Sequence, residues 1–276
     1  MSLMENTLIQ LSNPNYVPVI KDSVTNYGGN QMWFSGDNKF SKDYVIQNYG
    51  CGTIATADFF LYLALQHPNM RSPITEMALE DHKTINYPYY ISYVREVDRQ
   101  YTKTKRVIAV LGPRIASSVN AYAKSHNFNY RATWKLRLTY YDMYEMIKEM
   151  LAQDIPVILS IGPNTPKLWG KNGIFFYQKY MIEDPDIDFM NGRNSDRENS
   201  KKDERELKYC YMALKQNVNS HYVVVTGVEI DSVYGKVMLR ISSWGKSYYI
   251  NYEEYRDYIE TFGGTFTSSI LHFKKI

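Results

Sequence analysis

The chain carries the sequence GCGTIATADFFLYLALQH at residues 50–67. Its apolar side chains recur at helical spacing, and they include Ile54, Ala57, Phe60, Leu61 and Leu65. Pro68 follows directly, and proline is common just past the end of a helix. The pattern predicts a largely buried helix that begins at Cys51 or Gly52 and ends at His67.

The position of Cys51 matters because cysteine reacts as a thiolate. A free thiol has a pKa of about 8.5, and a helix N-terminus or a neighbouring imidazolium lowers that pKa. The first N–H groups of a helix have no intrahelical partners and carry partial positive charge. We therefore predict that Cys51 is a nucleophile and that Gly50 and Gly52 leave room for a substrate carbonyl. The alternative is a small buried cysteine.

A second segment, residues 219–227, has the sequence NSHYVVVTG. His221 opens its β-branched run, which is typical of a buried strand. A histidine held at the mouth of a strand can act as general base for a thiol across a groove. The competing interpretation is a solvent-facing histidine at a strand end. The other histidines lie in polar, turn-like or terminal segments; they are His67, His82, His126 and His272.

Further periodic segments surround these two. Helical spacing predicts helices over residues 114–126, 141–152 and 252–260. Strands are predicted over residues 130–138, 157–161, 209–214, 221–230, 236–243 and 264–274. Because helices precede most of the strands, the sequence predicts an α+β fold in which an N-terminal helical part packs on a mostly antiparallel sheet.

The remaining segments are polar. Residues 1–45 have turn signals and little periodicity, which predicts an irregular entry segment with short strands near Tyr16–Ile20. Residues 183–206 are charged and almost without apolar side chains, which predicts a flexible insertion or surface loop. No internal repeat is visible, and we assign residues 1–276 to a single domain.

Composition and motifs exclude several classes of protein. The net charge is +3 with both signs well mixed, so no nucleic-acid footprint is expected. No run approaches the length of apolar sequence that spans a membrane. Two cysteines, Cys51 and Cys210, do not form a disulfide scaffold; they either pair once or both stay free. The sequence has no metal-binding spacing, no Walker loop and no dinucleotide fingerprint, so we expect neither a metal nor a cofactor.

The first ten residues, MSLMENTLIQ, lack the basic and apolar regions of a signal peptide. We expect a cytoplasmic protein if this start is native, whereas export stays open if earlier residues were removed. The sequence does not determine the oligomeric state.

A third segment, residues 241–250, has the sequence ISSWGKSYYI. A cysteine at a helix start, a histidine opening a strand and a strand running into Ser-Trp-Gly together resemble the papain-like cysteine peptidase superfamily. Two further segments, EMIKEMLAQDIPVILSI at 145–161 and INYEEYRDYI at 250–259, are most similar to the bacterial double-glycine-leader, bacteriocin-processing peptidases. The resemblance runs in order over residues 45–259.

The resemblance implies a papain-like fold with Cys51 as nucleophile and His221 as general base and then general acid. The thiolate would attack a peptide or related amide, and the acyl-enzyme would then be resolved. Papain-type enzymes place an oxyanion-binding glutamine six residues before the cysteine, where this chain has Val45. We assign that role to Gln47, with Asn48 as the alternative.

The family has Asn or Asp where this chain has Ser242. A hydroxyl can accept a hydrogen bond from the imidazole, but it supplies no negative charge. Trp244 matches the tryptophan that shields this hydrogen bond in the family, although a core tryptophan explains it equally well. The leading hypothesis is a thiol hydrolase; the alternatives are a peptide- or ligand-binding relative without catalysis and an acyltransferase.

Overall fold

The computed structural model describes residues 8–79, 83–162, 172–182, 208–231, 234–262 and 269–276. The predicted insertion at 183–206 lies outside these ranges. The helices are α1 (Lys42–Tyr49), α2 (Cys51–Gln66), α3 (Pro73–Glu76), α4 (Tyr87–Val97), α5 (Gly112–Ser125), α6 (Tyr140–Ala152) and α7 (Tyr252–Phe262). The strands are β1 (Ile9–Gln10), β2 (Pro18–Lys21), β3 (Val24–Tyr27), β4 (Ile85–Asn86), β5 (Tyr130–Lys135), β6 (Val157–Ile161), β7 (Ile174–Ile182), β8 (Lys208–Val218), β9 (His221–Ile230), β10 (Val237–Ser243), β11 (Lys246–Asn251) and β12 (Ile270–Lys275).

The large sheet has the strand order β5-β12-β6-β9-β10-β11-β7-β8, with β1 added against β9. Its described pairs are antiparallel. A smaller sheet has the order β3-β2-β4, in which β2 and β4 run parallel. The predicted α+β class with a mostly antiparallel sheet is therefore confirmed.

Helix α2 is buried along most of its length, from Gly52 to Ala64. It has no polar face because its sequence is apolar on all sides, as expected for a helix enclosed by other elements. It contacts β9 as well as α4 and α5. The predicted helix is confirmed and ends at Gln66, one residue before the predicted end.

Strand β9 has the predicted bounds and lies between β6 and β10. Its first eight residues, His221 to Val228, are buried, as the run of β-branched side chains predicts. His221 pairs with Ile161 of β6 at one end of the strand. The sheet therefore holds His221 at a rigid strand terminus.

The entry segment is more regular than its sequence predicts. Within its described part, residues 8–45, the predicted short strand near Tyr16–Ile20 is present as β2, whereas β1, β3 and the beginning of α1 were not predicted. The hydroxyl of Ser41 caps α1 by accepting from the Tyr44 N–H at 3.2 Å. Apolar periodicity is weak because only Val45 and Ile46 of this helix are buried.

Beyond the entry segment, five further elements were not predicted from the sequence, namely α3, α4, β4, β7 and β11. Within the described ranges, no helix is long and apolar enough to cross a membrane.

Candidate active site

Cys51 is the first residue of α2, and only Gly50 separates it from the end of α1. The Gly50 N–H donates to Ile46 O at 2.8 Å, and the Gly50 carbonyl accepts from the Ile54 N–H at 2.9 Å. A Cβ atom on Gly50 would lie 2.3 Å from Ile46 O. Gly50 therefore serves the sharp junction between two helices, and its role in admitting substrate stays a prediction.

Gly52 is buried against the sheet. A Cβ atom at this position would lie 3.2 Å from both Tyr222 Cδ2 and Val110 Cβ. The missing side chain therefore lets α2 approach β9 closely. Gly52 thus allows close packing between the two candidate catalytic elements, and its role as space for a carbonyl stays a prediction.

His221 is buried, with 8% of its surface exposed. Its Nε2 lies 2.8 Å from Ser243 Oγ. We assign the imidazole hydrogen to Nε2, which then donates to Ser243 and leaves Nδ1 as an acceptor. The Trp244 ring stacks on the imidazole, with centroids 4.4 Å apart and planes inclined by 15°. The hydrogen bond and the stack together fix the ring.

The hydroxyl that meets His221 belongs to Ser243 and not to Ser242. Ser242 Oγ donates instead to the Tyr27 carbonyl at 2.7 Å. Successive side chains of a strand point to opposite faces, so only one of the two serines can face the imidazole. The assignment of the third triad position is corrected from Ser242 to Ser243.

One cavity in the described part of the chain brings these groups together. Its lining includes Gln31, Cys51, Asp58, His221, Ser243 and Trp244. Its volume is about 20 Å³, enough for about one water molecule. Cys51 at the start of α2 and His221 at the start of β9 therefore line the same small cavity.

The cavity contains an amide that the sequence did not indicate. Gln31, in a short 3₁₀ turn, lines the cavity, whereas Gln47 and Asn48 are not among the described lining residues. Gln31 Nε2 donates to the Gln47 carbonyl at 2.9 Å. Asn48 is exposed, and its Nδ2 donates to Tyr44 O at 2.9 Å. Gln47 thus contributes through its backbone by holding Gln31.

Burial keeps both candidate catalytic groups neutral. It raises the pKa of the Cys51 thiol, and hydrogen bonds with the backbone of Tyr222, Gly52 and Cys51 itself offset only part of this shift. It lowers the pKa of His221 to about 3, with the positive charge of Lys215 as a second cause. The backbone groups at the start of the helix do lower the thiol pKa, as expected, but desolvation is the larger effect and the net shift is upward.

Asp58 lies two turns after Cys51 on α2 and is 2% exposed. Burial raises its pKa to about 7, and hydrogen bonds from Gly29 and Tyr90 offset part of the rise. The Gly29 N–H donates to Oδ2 at 2.8 Å, and the Tyr90 hydroxyl donates to Oδ1 at 2.7 Å. Sequence reasoning gave Asp58 no role, although a lone acid in an apolar helix requires partners.

The second cysteine lies elsewhere. Cys210 is half-buried on β8, paired with Tyr180 of β7, and it is not among the described residues that line the cavity. Among the described residues, no group of three or more His, Cys, Asp or Glu side chains could hold a metal ion. Comparisons with protein-family models, with curated proteins and with solved structures found no match to this chain.

Proposed function

We propose that this protein is a cysteine-dependent hydrolase with a papain-like site, acting on peptide or related amide bonds through Cys51 and His221. One observation carries the proposal. The thiol at the start of α2 and the imidazole at the start of β9 line the same cavity, although they are far apart in the sequence. A nucleophile beside an oriented base is the arrangement that covalent catalysis requires.

The orientation of the imidazole supports this assignment. With Nε2 donating to Ser243, Nδ1 keeps the lone pair that accepts a proton. The stacked Trp244 ring restrains the imidazole further. A serine hydroxyl fixes the tautomer, but it does not stabilise an imidazolium as a carboxylate would.

The chemistry follows from a neutral resting pair. His221 takes the thiol proton as the sulfur bonds to the carbonyl carbon, and the carbonyl π electrons move to oxygen. When the intermediate collapses, the C–N bond breaks and His221 returns the proton to the leaving amine. Water then attacks the thioester carbon as His221 takes its proton; when this second intermediate collapses, the C–S bond breaks and His221 returns the proton to the Cys51 sulfur.

Two donors are suited to the oxyanion. Gln31 Nε2 carries two hydrogens, and only one is needed for its bond to the Gln47 carbonyl. The backbone N–H of Cys51 lies at the start of α2, where helix N–H groups have no intrahelical acceptor. Donors aimed at developing charge stabilise the transition state more than the substrate.

The test is selective alkylation of the two cysteines with iodoacetamide, followed by peptide mass mapping. We expect Cys51 to react much faster than Cys210. His221→Ala should slow the Cys51 reaction by about 10²-fold, in the range typical of a lost general base, and leave Cys210 unchanged. His126→Ala, at the C-terminus of α5, is the matched control. Equal, slow labelling of both thiols would exclude the proposal.

A second candidate is a peptide-binding relative without catalysis. The raised thiol pKa, the hydroxyl in the third position and the one-water cavity favour it. It predicts saturable peptide binding with no turnover. Ser243→Asn separates the candidates, because a large gain in turnover would indicate a weakened enzyme. Ser242→Asn, next to it on the strand, is the control.

A further inference from the structure

Gly29 links the two sides of the cavity through its own peptide groups. Its N–H donates to Asp58 Oδ2 on α2 at 2.8 Å. Its carbonyl accepts from the Gly245 N–H at 2.8 Å, in the turn between β10 and β11. Gly245 follows Trp244, whose ring stacks on His221. A single residue therefore connects the nucleophile helix with the turn that holds the imidazole.

We call residues 27–29 the glycine strap. The Tyr27 N–H donates to the Gly245 carbonyl at 2.9 Å, which gives the strap a second bond to the same turn. Its Gly28 N–H donates to Val17 O at 2.8 Å. The strap is thus hydrogen-bonded at every residue.

The strap lies too close to its neighbours to carry side chains at Gly28 and Gly29. A Cβ atom on Gly28 would lie 2.5 Å from Ser242 Oγ and 2.7 Å from Asp58 Oδ2, and the Gly28 φ of +82° also favours glycine. A Cβ atom on Gly29 would lie 1.6 Å from the Tyr90 hydroxyl oxygen. Both glycines are therefore needed for this approach.

Asp58 is fixed from two directions. Tyr90 of α4 and Gly29 of the strap each donate to one of its carboxyl oxygens. A carboxyl buried in this way is tolerated because it is hydrogen-bonded. Asp58 follows Cys51 by seven residues, so both lie on one face of α2, and both line the cavity.

We propose that Asp58 is a positioning residue that acts through Gly29 to set the separation between Cys51 and the Trp244–His221 stack. The role in catalysis rests on the proposed function, whereas the mechanical link does not. Asp58 itself moves no proton in the reaction. Without its carboxyl group, the buried Gly29 N–H loses its acceptor and the strap loses its bond to α2.

Amide hydrogen exchange tests the link independently of any activity. In Asp58→Ala we expect exchange at Gly29 and Gly245 to accelerate by tenfold or more. Asp58→Asn keeps an amide oxygen for the Gly29 N–H and should restore most of the protection. Asp98→Asn is the control, because Asp98 is equally buried, at 2%, but bonds Thr102 and Thr104 instead of the strap.

Exchange at Gly29 and Gly245 within twofold of wild type in a folded Asp58→Ala protein would overturn the proposal. If that variant does not fold, Tyr90→Phe replaces it, since it removes the hydroxyl that orients Asp58. We then expect a two- to fivefold acceleration at both glycines, and unchanged exchange overturns the proposal.

The positioning role has a second measurable consequence. It is the ratio of the Cys51 alkylation rate in a protein that carries His221 to the rate in the matching His221→Ala protein. We expect Asp58→Ala to lower this ratio at least fivefold and Asp58→Asn to recover it. Faster exchange with an unchanged ratio would overturn the positioning role. If His221→Ala has no effect in the otherwise wild-type chain, the proposed function fails, while the exchange data still decide the link.

Discussion

The helix side and the sheet side of the cavity respond to burial in opposite directions. On the helix side, burial raises the pKa of the Cys51 thiol and raises the pKa of Asp58 to about 7. On the sheet side, burial lowers the pKa of His221 to about 3. Desolvation disfavours the charged form of each group, so acids gain protons and the base loses one. The groups that line the cavity are therefore held mainly in their uncharged forms, and the proposed reaction would develop charge among them.

The largest expected effect concerns Gln31 as the proposed oxyanion donor. It tests whether negative charge on the substrate oxygen develops only in the transition state. Gln31→Ala should lower turnover by about 10²–10³-fold, the usual loss for one oxyanion donor, with little change in KM. The measurement is single-turnover hydrolysis of a fluorogenic peptide library. Gln47→Ala is the control, because Gln47 holds Gln31 through its backbone carbonyl. Equal losses in the two variants would remove Gln31 from this role.

The next prediction uses the opposite shifts on the two sides. The pKa of His221 falls from its ordinary 6.5 to about 3, so acid favours the unfolded state and His221 makes stability fall as pH drops below 6.5. The pKa of Asp58 rises from its ordinary 3.8 to about 7, so its contribution falls as pH rises between those values. From about pH 4 to 6.5, the two slopes should largely cancel.

A variant that removes one of the two groups should reveal the pH dependence of stability that the other group causes. Between pH 6.5 and 4, the free energy of unfolding of Asp58→Asn should fall by about 1.4 kcal/mol per pH unit relative to wild type. His221→Phe should show the opposite slope. Urea denaturation across this range is the measurement. The phenols of Tyr16, Tyr90 and Tyr93, which interact with Asp58, have raised pKa values, and Lys215 acts on His221 through its positive charge. If the free energy of unfolding depends on pH in the same way in wild type, Asp58→Asn and His221→Phe, the opposite pKa shifts of Asp58 and His221 are contradicted.

The smallest effect distinguishes two adjacent serines on the sheet side. Ser243→Ala removes the bond to His221 Nε2, worth about 0.5–1.5 kcal/mol, and should slow Cys51 alkylation several-fold. Ser242→Ala removes a bond of similar length to the Tyr27 carbonyl, so it controls for a lost hydroxyl. Ser243→Ala should reduce the rate of Cys51 alkylation more than Ser242→Ala does. The reverse order would restore Ser242 as the partner of the imidazole.

The sequence predicted the elements that carry Cys51 and His221 because both have strong local signals. An apolar period identifies α2, and a β-branched run identifies β9 with its observed bounds. The choice between Ser242 and Ser243 depends on which face of β10 each occupies. The pairing of β10 with β9 shifts register between Arg240 and Ile241, and a one-residue shift reverses the faces. No local pattern encodes that irregularity.

Gln31 and Asp58 illustrate two different limits. Gln31 reaches the cavity through tertiary placement of a turn-rich segment, which leaves no periodic signal in the sequence. Asp58 did leave a signal, because it is the one charged residue in α2. An acid in a buried helix must find hydrogen-bond donors, and that requirement alone pointed to an ordered partner.

At the Trp244 turn, the residue type that would close the hairpin most easily differs from the residue that covers the imidazole. Trp244 and Gly245 form a two-residue hairpin loop, with φ values of +48° and +74°. Such loops favour Asn-Gly, and a left-handed conformation costs other residues about 1–2 kcal/mol. The indole nevertheless stacks on His221, and Lys215 Nζ lies 4.7 Å from its ring centroid. An asparagine here would ease closure of the hairpin and remove the ring that stacks on the imidazole, so this turn gives up local stability in order to cover one face of His221.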